Sequence, residues 1–201
     1  MSVLSDVVSS ALLSVGNALP ELKRTMTADG ATASVVVSSS VDKGTDAASS
    51  SGPNEKFRII AQSADFPSLS LESLVTLDED AHFITSLRET GGAALFIGLS
   101  GALTDTLLGY SGTRRRANAL RNISLTVPAL VNESQSLASF SDSYGRNDTL
   151  TFYIVLRTMD WLDETPPDVG DKLDYNSRPL VVSNVEKRTG YYFLTARERR
   201  S

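Results

Sequence analysis

The chain has 201 residues, 41% of them hydrophobic, with no cysteine, a net charge of −5 and a sequence pI near 4.9. The length suits one domain with appendages, and the apolar content is enough for a core. The acidic balance excludes general attraction to nucleic-acid phosphates but leaves local basic clusters open. Without cysteine there are no disulfides, thiolate metal sites or cysteine nucleophiles.

No apolar run reaches the roughly 18–20 residues that span a bilayer. The N-terminus lacks a basic lead and is broken by Ser5, Asp6, Ser9 and Ser10, unlike a secretory signal. The sequons at Asn122, Asn132 and Asn147 then read as chance. The expected location is intracellular, in the cytoplasm or in a virion assembled there.

Residues 3–22 place Val3, Leu4, Val7, Val8, Ala11, Leu12, Val15, Leu19 and Leu22 at helical spacing, with serines opposite. This predicts an amphipathic helix. Its uncharged polar face favours docking on its own domain or on another subunit over a membrane surface. A short strand follows over 31–40, and residues 38–53 (Ser, Ala, Gly and Asp) offer little to bury. The expected organisation is an N-terminal helical arm (1–30), a flexible Ser/Gly-rich linker (31–55) and a main sheet-containing domain (56–201). Deleting the arm is expected to leave that domain folded and impair association.

The main domain opens with a strand over 56–62 and a turn at Phe66-Pro67. Ser70 then caps a predicted helix over 71–87, carrying Leu71, Leu74, Val75, Ala81, Ile84 and Leu87 at near-helical spacing, with two short helices divided at Asp78-Glu79-Asp80 as the alternative. A buried strand is predicted over 93–99, a short helix over 102–110 and a basic connection over 113–118. Another strand covers 119–131 and ends near Pro128; a Ser-rich loop covers 134–148. The clearest strand is 149–159, dense in β-branched and aromatic residues, with Leu150, Phe152, Ile154 and Leu156 on one face. An acidic loop (160–174) precedes a hairpin whose arms, 179–185 and 190–196, flank residues 186–189. No internal repeat is evident. The predicted class is α+β, mainly an antiparallel sheet domain with an N-terminal amphipathic helix; a β-sandwich or jelly-roll-like arrangement is the alternative.

Several strings carry candidate chemistry. Gly98-Leu99-Ser100-Gly101 has the strand–serine–helix outline of a nucleophile elbow, with Ala102 where a glycine is expected. A serine mechanism needs a base, and the only histidine, His82, precedes the serine rather than following it. The same string lacks the lysine and glycine spacing of a phosphate-binding loop. His82 follows Asp78, Glu79 and Asp80, but one imidazole does not make a catalytic zinc site; it reads as a surface or part-buried helix residue. Asp160, Asp163, Glu164, Asp168, Asp171 and Asp174 do not match a calcium loop. They read as a solvated loop or as a face for another copy's basic patch. No metal or cofactor is expected.

Two basic patches stand against this acidity: Arg114, Arg115, Arg116 and Arg121, and Lys187, Arg188, Arg197, Arg199 and Arg200. Guanidinium groups suit carboxylates and phosphates alike, so the patches are candidates for subunit or nucleic-acid contact. The expected role is a non-enzymatic, self-associating structural subunit, most concretely a viral coat or other virion structural protein. An adaptor binding nucleic acid or protein through the basic patches is the alternative, and a small serine hydrolase the second alternative.

Overall fold

The computed structural model describes residues 11, 14, 20–40, 55–90, 94–103, 105–116, 119–135, 150–161 and 166–198. The chain divides into two compact units, residues 1–103 and 104–201. In the first, β1 (Lys23–Ala28), β2 (Ala31–Ser40), β3 (Glu55–Gln62), β4 (Leu74–Leu77), β5 (Asp80–Thr90) and β6 (Ala94–Ser100) form a closed antiparallel barrel. Its strand order is β1-β2-β3-β6-β5-β4, with β4 returning to β1. Met26, Val35, Ile59, Val75, Ile84, Ile97 and Leu99 fill it.

The second unit contains β7 (Asp105–Arg116), β8 (Ala119–Gln135), β9 (Leu150–Arg157), β10 (Lys172–Tyr175), β11 (Arg178–Arg188) and β12 (Tyr191–Glu198). Read from β7, its order is β7-β8-β9-β12-β11-β10, closed by β10 on β7. That is the topology of the first barrel, strand for strand.

The register repeats as well. Gln62 opposite Ala94 becomes Arg157 opposite Tyr191, and Thr27 opposite Thr76 becomes Gly109 opposite Asp174. A register slip between Ile84 and Ser86 recurs between Val182 and Asn184. Both β3 and β9 run into a 3-10 turn, Ser63–Asp65 and Thr158–Asp160, followed by a buried aromatic, Phe66 or Trp161. Both β4–β5 and β10–β11 close through two residues at positive φ, Asp78-Glu79 and Asn176-Ser177. Asp and Asn tolerate that conformation better than most residues, and two-residue turns of this kind match the strand twist. The chain therefore contains an internal structural repeat, where the sequence displays none.

The α+β expectation is overturned: the described residues form two six-stranded antiparallel barrels, and these are neither a sandwich nor a jelly roll. Residues 20–22 are a 3-10 turn and 23–28 are β1, so the predicted helix does not include them; the rest of 3–22 lies outside the described residues except for Ala11 and Ser14. Of the expected linker, 31–40 is β2 and Glu55 begins β3, while 41–54 lies outside the described residues. The predicted helix over 71–87 is the β4–β5 hairpin. Its apolar spacing fits two short strands in which Val75 and Leu77, then His82 and Ile84, face inward on either side of a turn. The predicted helix over 102–110 is largely β7. β8 continues past Pro128, which sits where β7 and β8 slip register between Asp105 and Leu108; a bulge tolerates a residue without an N–H.

Other expectations hold. Strands occupy 31–40, 55–62, 94–100 and 150–157, and Phe152, Ile154 and Leu156 are buried on one face of β9. The final hairpin turns at Thr189-Gly190, with Glu186 to Arg188 still in β11. No helix among the described residues is long and apolar enough to cross a membrane.

Candidate functional site

The polar residues of the first barrel's interior serve its architecture. His82 is buried on β5, 1% exposed, rather than on a helix. Its Nδ1 lies 2.9 Å from the Ser100 carbonyl oxygen. A carbonyl only accepts, so Nδ1 carries the proton. Burial pushes the imidazole pKa down, and the backbone bond and the charge of Asp80 oppose that shift. The ring meets Phe57 edge-on at 5.4 Å between centroids.

Ser100, fully buried, accepts the Phe83 N–H and donates to the Gly101 carbonyl. The two side chains of the imagined hydrolase are thus neighbours, but His82 bonds the serine's backbone and the hydroxyl is engaged by main chain. Gly98 lies inside β6, between Ser86 and Glu55, rather than in a phosphate-binding turn.

The acidic residues from 160 to 174 divide among separate tasks. Asp160 forms a two-point pair with Arg157, at 2.7 and 3.0 Å, where both side chains are mostly buried. Asp171 is buried and accepts the Tyr110 hydroxyl and the Asp168 N–H. Asp174 is exposed on β10, and Asp163 and Glu164 lie outside the described residues. Among the described residues, no three carboxylate or imidazole groups gather as a metal would require.

Among the described residues of the C-terminal basic group, Lys187 and Arg188 stand apart from Arg197 along the β11–β12 hairpin. Lys187 and Arg188 stand at the β11–β12 turn, over the rings of Tyr192 and Phe193, and Arg188 also bonds Glu186 at 2.7 Å. That bond lowers the Glu186 pKa. Arg197 pairs with Val181 and Thr151, five residues along β12 from Tyr192, or about 17 Å at strand rise. Arg199 and Arg200 lie outside the described residues.

The central arginines are positioned quite differently. In the first barrel the opening hairpin ends at the Ala28–Ala31 rung and closes through Asp29-Gly30, both at positive φ. The matching rung in the second barrel is Tyr110–Leu125. There the strands continue: Ser111 opposite Ser124, Gly112 opposite Ile123 and so on to Arg116 opposite Ala119. Corresponding positions are 82 residues apart between β1 and β7 but 94 apart between β2 and β8, so the second hairpin is longer by 12 residues.

Arg114, Arg115, Arg116 and Arg121 all fall on that extension, in its three outermost rungs, with Arg114 directly opposite Arg121. Of what reads in sequence as a connection over 113–118, residues 113–116 are the end of β7, paired with β8 in a two-stranded ribbon. Among the described residues, no third strand pairs with these outer rungs. At the base, Thr113 and Asn122 bond across the ribbon at 3.3 Å. An open groove of ≈ 490 Å³ runs between the base and the β9–β10 loop, lined by Gly112, Asn122, Ser124, Asp168 and Lys172 among others.

No protein-family model, curated protein or solved structure matches this chain. The site therefore rests on its geometry. Sequence reasoning found the arginines but missed the ribbon that carries them. It also missed the bond between Tyr110 and Asp171, which are 61 residues apart. Three consecutive arginines give no alternation to read, so the sequence carries no strand signal at the end of β7.

Proposed function

We propose that this chain is a self-associating structural subunit, with a virion structural protein as its most concrete setting. The observation that carries the proposal is the β7–β8 extension, whose outer rungs pair with no third strand among the described residues. Unpaired N–H and C=O groups along strand edges are templates for strand addition, and the arginines on these rungs suit a partner edge that carries carboxylates. The closed second barrel, with its own packed core, supplies a base from which the ribbon extends. The interior polar groups described above, His82, Ser100, Asp171 and Tyr110, hold strands and loops together, which suits a protein that works by contact.

Size-exclusion chromatography with light scattering tests the reading. The full chain is expected to form a defined oligomer that persists on dilution. Replacing residues 112–123 with the Asp-Gly turn of the first barrel is expected to give a folded monomer. A full chain that stays monomeric from micromolar to near-millimolar concentration would remove the basis for this role. Electron microscopy of the assembled material would show whether it forms rings, shells or arrays.

A further inference from the structure

We infer that the outer end of the β7–β8 extension binds the phosphate backbone of nucleic acid. Residues 106–132 contain four arginines and no Asp, Glu or Lys, in a chain with 24 acidic residues and a net charge of −5. The register gathers those arginines into the rungs Arg114–Arg121, Arg115–Leu120 and Arg116–Ala119.

Like charges directly opposite one another disfavour strand pairing. The register sets Arg114 opposite Arg121, an arrangement of like charges that a bound polyanion would favour. Three rungs span about 7 Å at strand rise. Four positive charges over that length approach the linear charge density of duplex DNA, about one phosphate per 1.7 Å. A two-stranded ribbon also fits a DNA major groove about 12 Å wide. All four residues are arginine, whose planar fork meets phosphate oxygens bidentately. The chain as a whole carries a net charge of −5, so contact with phosphates falls to local basic segments; of these, residues 106–132 hold four arginines with no acidic residue among them.

The test is fluorescence anisotropy of the full chain with a labelled 30-base-pair DNA duplex, a single-stranded RNA of equal length and polyglutamate, from 50 to 200 mM salt. Nucleic acid is expected to bind, and affinity to fall about 100-fold over that range for four phosphate contacts. The duplex and RNA titrations show which form of the backbone is preferred. R114S/R115S/R116S is expected to flatten the salt dependence by about three charges, whereas R114K/R115K/R116K keeps it. R121S, a smaller change, is expected to reduce the slope by about one if the triple variant loses its β-sheet circular dichroism.

Absence of nucleic-acid binding at 50 mM salt would overturn the inference. So would binding indifferent to these substitutions, or polyglutamate bound as tightly, which would assign the ribbon to an acidic protein face. Light scattering on the same samples separates this inference from the proposed assembly. An oligomer that ignores nucleic acid defeats only the phosphate contact; a monomer that binds it defeats only the assembly.

Discussion

Tyr110 donates its phenolic hydroxyl to the buried carboxylate of Asp171, tying β7 to the loop that enters β10. The first barrel solves the same problem with other atoms: Ser73, at the position of Asp171, donates to Asp29 at 2.8 Å. In both barrels the N–H three residues upstream, Ser70 or Asp168, bonds this buried side chain. The tie is thus a property of the fold, met by whatever polar pair fits. Removing one partner leaves a buried acceptor short of a bond, which costs about 1–3 kcal/mol. Y110F is expected to lower the urea midpoint of the second barrel accordingly, with its fluorescence from Trp161, 4.5 Å from the Tyr110 ring, as the probe.

His82 gives the first barrel a pH dependence of known sign. Its folded pKa lies below the ordinary 6.5, chiefly through burial. Between the two pKa values the unfolded chain binds the extra proton, so stability is complete above about pH 6.5 and declines as pH falls toward the folded value. The slope approaches about 1.4 kcal/mol per pH unit where that difference is one proton. The chain has no other histidine, and the corresponding position in the second barrel is Leu180. H82L is expected to flatten the dependence between pH 7.5 and 5.5 in urea melts. An unchanged slope would show that another group titrates.

The strands were legible where one residue type dominates a face. Phe152, Ile154 and Leu156 alternate without interruption, and β9 follows from them. The hairpin over β4 and β5 was not, because two short alternating strands of opposite phase mimic helical spacing. Only the positive φ of Asp78 and Glu79 separates the two patterns. The repeat was hidden for a different reason. Matching positions are 82, 94, 95, 98 or 97 residues apart according to the strand, so no single period exists. Core volumes are also redistributed: Ala28 and Ala61 correspond to Tyr110 and Leu156, while Val35 and Leu99 correspond to Ala129 and Ala196. Cores accept such exchanges when total volume and pattern are kept. The arginine cluster was visible, but its place on a hairpin extension depends on the other barrel for comparison.

Gly98 marks a place where the equivalence fails. A Cβ there would lie 2.6 Å from Glu55 Oε1 and 2.7 Å from Thr85 Oγ1, and closer still to Ser86 Oγ. Its counterpart on β12 is Thr195, which carries a side chain in the same register. All three atoms are side-chain ends, so a methyl at this position forces Glu55, Thr85 and Ser86 to rotate aside together. G98A is expected to cost about 1–3 kcal/mol by overpacking, whereas T195A changes stability by less than about 1 kcal/mol. Parallel denaturant titrations of the two variants compare them directly, and equal losses would show that β6 yields at Gly98.

Deletion of residues 1–30, expected from sequence to spare the fold, removes β1 whole. β1 pairs with both β2 and β4, so its loss opens the first barrel and exposes both neighbours. It also removes Met26 and Ala28 from the core; burial of Met26 alone is worth about 1.5–3 kcal/mol. The truncated chain is expected to lose hydrogen-exchange protection across β2 to β6 while β7 to β12 keep theirs, because the second core contains no residue before Tyr110. Deleting 1–19 removes no described strand and is expected to leave protection in both barrels intact. Exchange read by residue range distinguishes these cases, and a Δ1–30 chain still protected across β2 to β6 would show that the barrel closes without its first strand.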